Sequence, residues 1–224
     1  MAGIDYTELY NLQDKVMKAV FSVEKEFYLT GGTCLSRFYQ AKRYSDDLDF
    51  FAQNSPRYSY AIKNIRKKLE KFFSLSVEVE TKQFVRFRID SLLQVDFVND
   101  ISSRYKDVIV TMENYLIDNV ENILSNKLTA VIGRDNPKDI FDIYLISTFY
   151  SFSWKDILVS AHEKAGFSNE DLIIRLKTFP RRMFDSINFI DIEFMNKFDI
   201  EFPLIIEEIV CEAAHRSYIN EYKN

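Results

Sequence analysis

Two adjacent glycines, Gly31 and Gly32, are the feature that most constrains the fold of this chain. The sequence has 224 residues but only 5 Gly and 4 Pro, so long regular elements should dominate and a glycine pair needs a specific explanation. The pair follows the apolar run Phe27–Thr30, which is typical of a short buried strand, and precedes Thr33–Tyr39, which has helical character. Such a turn lets the backbone approach a ligand closely and directs helix N–H groups at an anion. A tight turn that simply requires glycine explains the pair about equally well.

The hydrophobic pattern predicts a mixed front half and a helical back half. Helices are predicted over Thr7–Val23, with Thr7 as N-cap, and over Tyr58–Phe73. The alternation of apolar residues predicts strands at 47–51, 75–81, 84–89 and 92–98. Further helices are predicted at 120–132, 137–149, 154–165, 169–178 and 203–220. Pro137 is expected in a first helical turn and Ser168 at an N-cap. We therefore predict an α+β fold, with a small mixed β-sheet core and flanking helices at residues 1–111 and a C-terminal helical bundle at residues 112–224.

Composition and charge exclude several classes of protein. Hydrophobic residues make up 47% and aromatic residues 15% of the chain, which rules out a largely disordered protein. The formal net charge is −5, so binding of nucleic acid would need a local basic patch. Cys34 and Cys211 lie far apart and outside any metal-ligand spacing, as expected in a reducing compartment. No apolar run approaches the roughly 18–20 residues that span a bilayer. We expect a cytoplasmic protein that does not enter a membrane.

A carboxylate pair, Asp47 and Asp49, follows the glycine turn. Residues two apart on a strand share a face, so the two carboxylates project together while Leu48 and Phe50 point into the core. Like charges held together repel, and a cation between them would offset that repulsion. Carboxylate oxygens combined with substrate phosphates suit Mg²⁺. A solvated acidic strand face is the alternative, and it is weaker here because the pair lies downstream of the turn.

Asp96 is a candidate third carboxylate. It lies among apolar neighbours on a predicted central strand, and a buried Asp is rare unless it is paired or binds a metal. Three carboxylates would complete a two-metal site for nucleotidyl transfer, in which Asp96 binds the catalytic metal and activates the acceptor hydroxyl. The alternative is that Asp96 lies at a strand end, in water or paired with Arg86 or Arg88.

A second charged cluster runs from Lys127 to Asp142. Lys127 and Arg134 are seven residues apart, so on a helix they would share a face and reach phosphates as a pair. Asp139 and Asp142 would share a face of the following helix. Lys138 and Asp142 form an i,i+4 pair that could merely stabilise that helix.

Taken together, three motifs resemble those of the AbiEii/AbiGii toxin family of nucleotidyltransferases. They are G-G-T-x-L at 31–35, R-x-S-x-D-L-D-F at 43–50 and K-x-x-A-x-x-x-R-x-x-x-K-D-x-x-D at 127–142. The resemblance covers residues 25–150 and implies the DNA polymerase β-like nucleotidyltransferase superfamily. It further implies Mg²⁺ (or Mn²⁺) and a nucleoside triphosphate donor. Characterised members are toxins of bacterial toxin–antitoxin or phage-defence systems, and some add nucleotides to the acceptor end of tRNA.

The candidate site combines the residues' own chemistry with this resemblance. The expected metal ligands are Asp47, Asp49 and Asp96. The expected catalytic residues are Asp47, Asp49, Asp96, Lys127 and Asp142. The expected nucleotide-binding residues are Gly31, Gly32, Thr33, Arg43, Ser45, Lys127, Arg134, Lys138 and Asp139. The resemblance implies a later functional acid, which is either Asp139 or Asp142.

These residues predict transfer of NMP from an NTP to an acceptor hydroxyl. The resemblance further implies that the acceptor is RNA, specifically the 3′ end of tRNA, and that the enzyme is a toxin with an antitoxin partner. The basic helix Arg57–Lys71 would supply a phosphate-binding patch, and an ordinary solvated face explains it equally well. Arg181 and Arg182 would add to the patch. One alternative is transfer to a protein or a small molecule. Another is a catalytically silent module that binds a nucleotide or an antitoxin.

Overall fold

The computed structural model describes residues 4–221, and the side chains of residues 4–214. The described chain divides into two compact units. Unit 1 comprises the chain up to Tyr39, together with Tyr44–Ser102 and Asp107–Asn119. Unit 2 comprises Gln40–Arg43, Ser103–Lys106 and the chain from Val120 onward.

Unit 1 is a mixed β-sheet with flanking helices. Its helices are α1 (Tyr6–Phe21), α2 (Gly31–Phe38) and α3 (Tyr58–Leu69). Its strands are β1 (Tyr28–Thr30), β2 (Asp47–Gln53), β3 (Leu75–Glu80), β4 (Phe84–Ile89), β5 (Leu93–Asp100), β6 (Ile109–Val110) and β7 (Leu116–Ile117). Within the described residues these strands form one sheet in the order β3-β4-β5-β2-β1-β7-β6. The β2–β5 and β1–β7 pairs are parallel, and the other pairs are antiparallel.

The two faces of this sheet differ because apolar and polar residues alternate along its central strands. Phe50 on β2 and Phe97 on β5 are fully buried, and their rings stack with centroids 5.1 Å apart. Helices α1 and α3 cover this apolar face: the Phe21 ring lies edge-on to Phe50, and the Tyr58 hydroxyl donates to the Phe97 carbonyl at 2.8 Å. Asp47 and the other alternate residues of β2 project from the opposite face.

Unit 2 is helical. Its helices are α4 (Val120–Gly133), α5 (Pro137–Phe149), α6 (Trp154–Lys164), α7 (Asn169–Lys177) and α8 (Phe198–Glu221), with 3₁₀ turns at Arg181–Ser186 and Ile192–Lys197. The fully buried Tyr144 ring of α5 packs against Phe194 and Phe198, with centroids 4.8 and 5.0 Å away. None of the helices in the described part of the chain combines the length and apolarity needed to cross a membrane.

The predicted α+β class is confirmed, whereas two predicted helix starts are wrong. Asp5, not Thr7, caps α1, because its carboxylate accepts the backbone N–H groups of Thr7 and Glu8 at 2.9 and 3.2 Å. The last helix begins at Phe198, and Pro203 lies inside it. Packing of Phe198 against the unit 2 core holds the turn before the proline helical. The expected cap Ser168 and the first-turn Pro137 are both present.

Candidate functional site

The glycine turn brings the start of α2 against the carboxylate strand. Gly31 is the first residue of α2 and has φ +69°, a left-handed conformation that favours glycine. A Cβ at this position would lie 2.7 Å from Oδ2 of Asp49. The Asp49 carboxylate can therefore lie this close to the turn only because residue 31 has no side chain. The buried Thr33 hydroxyl donates to the backbone carbonyl of Asp47, which joins α2 to the start of β2. Gly32 is buried in the same turn.

We predict that Gly31→Ala damages both stability and activity. The new side chain must adopt a left-handed conformation, which costs about 1–2 kcal/mol, and it displaces the Asp49 carboxylate. A small misplacement of a reacting group is enough to lower a rate by about tenfold or more. Urea denaturation and a nucleotidyl-transfer assay measure the two effects.

Gly133→Ala is the matched control for this change. A Cβ at Gly133 would meet no atom within 4 Å, and alanine favours the helix in which the residue lies. Its stability should equal or exceed that of the wild type. Equal behaviour of the two variants would contradict the close approach between Gly31 and Asp49.

The three predicted metal ligands lie in unit 1 on neighbouring strands. Asp47 and Asp49 occupy alternate positions of β2, and Asp49 is the register partner of Asp96 on β5 and of Thr30 on β1. The Asp47 carboxylate is half-buried and forms no hydrogen bond or ion pair with any residue that the structure describes. Asp47 and Asp49 therefore place two acidic groups on one strand face, beside the turn at Gly31.

Arg86 binds both carboxylate oxygens of Asp96. Arg86 on β4 donates from Nε and Nη2 to the two Asp96 oxygens at 2.8 and 2.7 Å, and Gln94 donates to one of them at 3.2 Å. This hydrogen bond to Asp96 is the main cause of the raised pKa of Arg86, and the charge of Asp49 adds to it. Among the side chains that the structure describes, no three His, Cys, Asp or Glu residues are grouped as a ready metal site. The role of Asp96 as a third metal ligand stays a prediction.

Helix α1 holds the segment that leads into the carboxylate strand. Tyr6 donates its hydroxyl to Oδ1 of Asp46 at 2.7 Å. The Ser45 backbone N–H donates to the Tyr10 hydroxyl at 3.2 Å, and the Ser45 carbonyl accepts from the fully buried Gln13 amide at 2.9 Å. Both backbone groups of Ser45 are thus fixed by side chains from α1, immediately before the strand that carries Asp47. Sequence reasoning missed these positioning residues, although Tyr6, Tyr10 and Gln13 share the spacing of one helix face.

The second predicted cluster lies in unit 2 as a network of buried ion pairs. Arg43 donates from Nε and Nη2 to the two oxygens of Asp142 at 2.8 and 2.7 Å. Lys127 Nζ lies 2.7 Å from the same Asp142 and 2.8 Å from Asp139. Arg134 donates to both Asp139 oxygens at 2.7 and 3.0 Å. Both carboxylates are fully buried, whereas the Arg134 side chain is 56% exposed.

Mutual attraction keeps this network charged despite its burial. Burial acts against the charged form of Lys127, but Asp142 and Asp139 outweigh it and raise the pKa of the lysine. Burial also opposes ionisation of the two acids. The neighbouring cations outweigh it, so Lys127 and Arg134 lower the pKa of Asp139, while Arg43 and Lys127 lower that of Asp142. Both candidate later acids therefore share one cation.

Lys138 lies at the start of α5, beside this network. Its backbone N–H donates to the side chain of the N-cap residue Asn136 at 3.0 Å, and its side chain is half-buried. The prediction of nucleotide contacts for Lys138, Arg134 and Lys127 is not tested by this geometry. A nucleotide that contacts Lys127 or Arg134 would have to displace the carboxylate partners described above or share these cations with them.

Comparisons with known proteins identify one family and several similar folds. A family model described as "Nucleotidyl transferase AbiEii toxin, Type IV TA system" matches residues 16–204. No curated protein matches the chain significantly.

Three solved structures are similar in fold. JHP933 from Helicobacter pylori is 18% identical, with 100% of each chain covered and a TM-score of 0.53. A putative nucleotidyltransferase from H. pylori is 19% identical, covers 99% of this chain and 97% of its own, and has a TM-score of 0.54. MenT4, a nucleotidyltransferase toxin from Mycobacterium tuberculosis, is 13% identical, covers 70% of this chain and 63% of its own, and has a TM-score of 0.51. At these identities the likeness is one of fold.

Proposed function

Because the chain belongs to the AbiEii family of nucleotidyltransferase toxins of type IV toxin–antitoxin systems, we propose that it transfers NMP from an NTP to an RNA hydroxyl with the help of Mg²⁺ or Mn²⁺. The acceptor in this proposal is the 3′ end of tRNA. Family membership also implies a nucleotide substrate and an antitoxin partner. The single observation that carries the proposal is the Asp47–Asp49 pair, held on one strand face against the left-handed turn at Gly31.

The donor set of this pair suits a divalent cation. Proteins bind Mg²⁺ through one or two carboxylates together with substrate phosphates, and Asp47 and Asp49 provide two carboxylates on one face. Asp47 has no competing partner among the described residues, so its oxygens need not exchange one interaction for another. When bound, the ion would supply positive charge to the phosphate oxygens that become more negative during transfer.

The chain's own residues support the remaining roles. The first turn of α2, at Gly31 and Gly32, offers backbone N–H groups to donor phosphates. Side chains of helix α1 fix the backbone of Ser45, so Ser45 is already held in position before it contacts a phosphate. Asp96 would take the proton from the acceptor hydroxyl. That role requires Arg86 to release one of the Asp96 oxygens.

We assign phosphate contacts in unit 2 to cations rather than to acids. Arg134 is the most exposed cation of its network, with 56% of its side chain accessible, so solvent-borne phosphate can reach it. Lys127 is buried and holds two carboxylates, so its contact with a nucleotide would be shared with Asp139 and Asp142. Such sharing predicts that loss of Lys127 changes the KM for NTP as well as stability.

The acceptor can be tested with α-labelled nucleotides and total tRNA. Each of the four NTPs is incubated with the protein, Mg²⁺ and tRNA, and the products are separated into RNA and protein. We expect label in RNA with at least one nucleotide, and none after chelation of the metal. Asp47→Asn is the negative control. Label in the protein fraction alone would refute the RNA acceptor while retaining the chemistry, and no label in any fraction would refute the transfer itself.

A further inference from the structure

An open pocket of about 530 Å³ in unit 1 lies among α1, the end of α3 and the β4–β5 turn. Its most distinctive lining residues are three lysines and two phenylalanines: Lys15, Lys18, Lys68, Phe72 and Phe73. Lys15 and Lys18 are three residues apart on α1 and share a face, whereas Lys68 lies in the last turn of α3. The pocket thus combines positive charge with aromatic surface, outside the carboxylate face described above.

The three lysines of this pocket outnumber its one acid and are not paired with neighbouring carboxylates. The ammonium group of none of its three lysines forms an ion pair or hydrogen bond with any residue that the structure describes. Asp90 also lines the pocket, and Oδ1 of this residue accepts the backbone N–H of Ser74 at 2.8 Å. By contrast, Arg66, two residues before Lys68 on α3, is paired with Glu70 at 2.8 Å. The lysines are therefore available to an anionic ligand.

The aromatic part of the pocket is exposed as well. Phe72 lies three residues beyond the end of α3 and is 65% exposed, which is unusual for so large an apolar side chain. Lys68 Nζ lies over one face of the Phe72 ring, 5.2 Å from its centroid, which leaves the other face for a base. Single-stranded nucleic acid presents both phosphates and unstacked bases, and proteins bind it with this combination of cationic and aromatic side chains.

We propose that this pocket binds acceptor RNA, with phosphates on Lys15, Lys18 and Lys68 and a base against Phe72. The inference rests on the proposed function for the identity of the acceptor. The chain carries a net charge of −5, which repels a polyanion, so a local group of uncompensated lysines is what RNA binding requires. An acidic peptide would satisfy the lysines, but it would leave the exposed ring without a stacking partner.

The position of the pocket determines which part of the RNA it holds. Helices α1 and α3 pack on the apolar face of the sheet, and Asp47 projects from the opposite face. RNA in the pocket must therefore be a segment remote from the reacting hydroxyl. Loss of the pocket should raise the KM for full-length tRNA and leave transfer to a short acceptor oligonucleotide unchanged.

The test compares two triple variants of equal charge. The first is Lys15→Gln/Lys18→Gln/Lys68→Gln. The control, Lys82→Gln/Lys177→Gln/Lys197→Gln, removes three exposed lysines from other surfaces. Binding of labelled total tRNA is measured across a salt series, and NTP binding is measured in parallel. We expect the pocket variant to bind tRNA about 10- to 100-fold more weakly, and its salt slope to fall by about 2–3. The control and the affinity for NTP should be unchanged.

A third variant, Phe72→Leu, separates stacking from charge. It should weaken tRNA binding by about tenfold without altering the salt slope. Equal tRNA binding by the pocket and control variants would overturn the proposal, as would a wild type that binds no tRNA. The proposal would also be overturned if the pocket variant no longer bound an acidic protein that the wild type binds, but bound tRNA as the wild type does. The proposed function has its own test, because it is refuted if label from NTP does not enter RNA. Failure of the proposed function can therefore be distinguished from failure of the RNA-binding pocket.

Discussion

Replacement of Asp47 by Asn should lower the rate of nucleotidyl transfer by about a thousandfold or more, while the protein stays as stable as the wild type. Stabilising the charge on a reacting phosphate contributes several kcal/mol, and each 1.4 kcal/mol or so is a factor of ten in rate. Asparagine keeps the size of the side chain but removes its negative charge. Because the Asp47 carboxylate has no partner among the described residues, folding loses no interaction. Removal of a like charge beside Asp49 favours folding slightly.

Asp46→Asn is the matched control for this prediction. Asp46 is the preceding residue, and its side chain accepts a hydrogen bond from the Tyr6 hydroxyl. The amide oxygen of asparagine can accept the same hydrogen bond. Its activity should stay within a few-fold of the wild type, so a large loss in both variants would point to disturbance of the strand. A transfer assay and a urea denaturation curve for each variant measure the two quantities. Full activity in Asp47→Asn would refute the assigned role of this carboxylate.

Replacement of Asp142 by Asn should lower the free energy of unfolding by about 3–5 kcal/mol. Asp142 is fully buried and is the shared partner of Arg43 and Lys127, so its loss leaves two cations of unit 2 with too little negative charge. Asparagine retains the shape and one acceptor oxygen, which isolates the effect of charge. The midpoint of urea denaturation at neutral pH measures the change.

Arg134→Gln is the control for the buried network. Its side chain is 56% exposed, so its ion pair with Asp139 is screened by water and contributes about 1 kcal/mol or less. If Asp142→Asn and Arg134→Gln lowered the free energy of unfolding equally, burial could not explain how much the network contributes to stability. A higher KM for NTP in Arg134→Gln, at unchanged stability, would support the phosphate contact that we assign to Arg134.

The pKa shifts of the network also predict how stability depends on pH. Asp139 and Asp142 have lowered pKa values, so their contribution is fully present above the unfolded value of about 4 and is lost as pH falls through the folded values. Lys127 has a raised pKa, so its contribution is present below about 10.4 and is lost as pH rises through the folded value. Stability should therefore be flat from about pH 5 to 9 with respect to this network. In Asp142→Asn the loss of stability in acid should be smaller.

Local chemistry made much of unit 1 predictable from the sequence. The strand Phe84–Ile89 has the predicted bounds because buried and half-buried residues alternate through it without interruption. The turn at Gly31 was predicted because no other residue type enters a left-handed turn so readily. The strands Ile109–Val110 and Leu116–Ile117 were not predicted, since two residues are too few to establish an alternation.

Contacts between distant residues explain what the sequence could not predict. The ion pair between Arg43 and Asp142 joins positions 99 residues apart, and nothing in the spacing of either motif indicates it. The hydrogen bond from Gln13 to the Ser45 carbonyl spans 32 residues and likewise depends on the packing of α1. Asp96 could be predicted as buried, but its pairing with Arg86, and not with Arg88, follows from the register of β4 on β5.

The position of the transferred phosphorus tests the central claim most directly. The wild-type protein is incubated with Mg²⁺, tRNA and one NTP, labelled in parallel reactions at the α or the γ phosphate. Nucleotidyl transfer predicts that the α label enters the acceptor and the γ label leaves in pyrophosphate, and that Asp47→Asn does neither. Incorporation of the γ label would show phosphoryl transfer instead, and would contradict the role that we assign to Asp47 and Asp49.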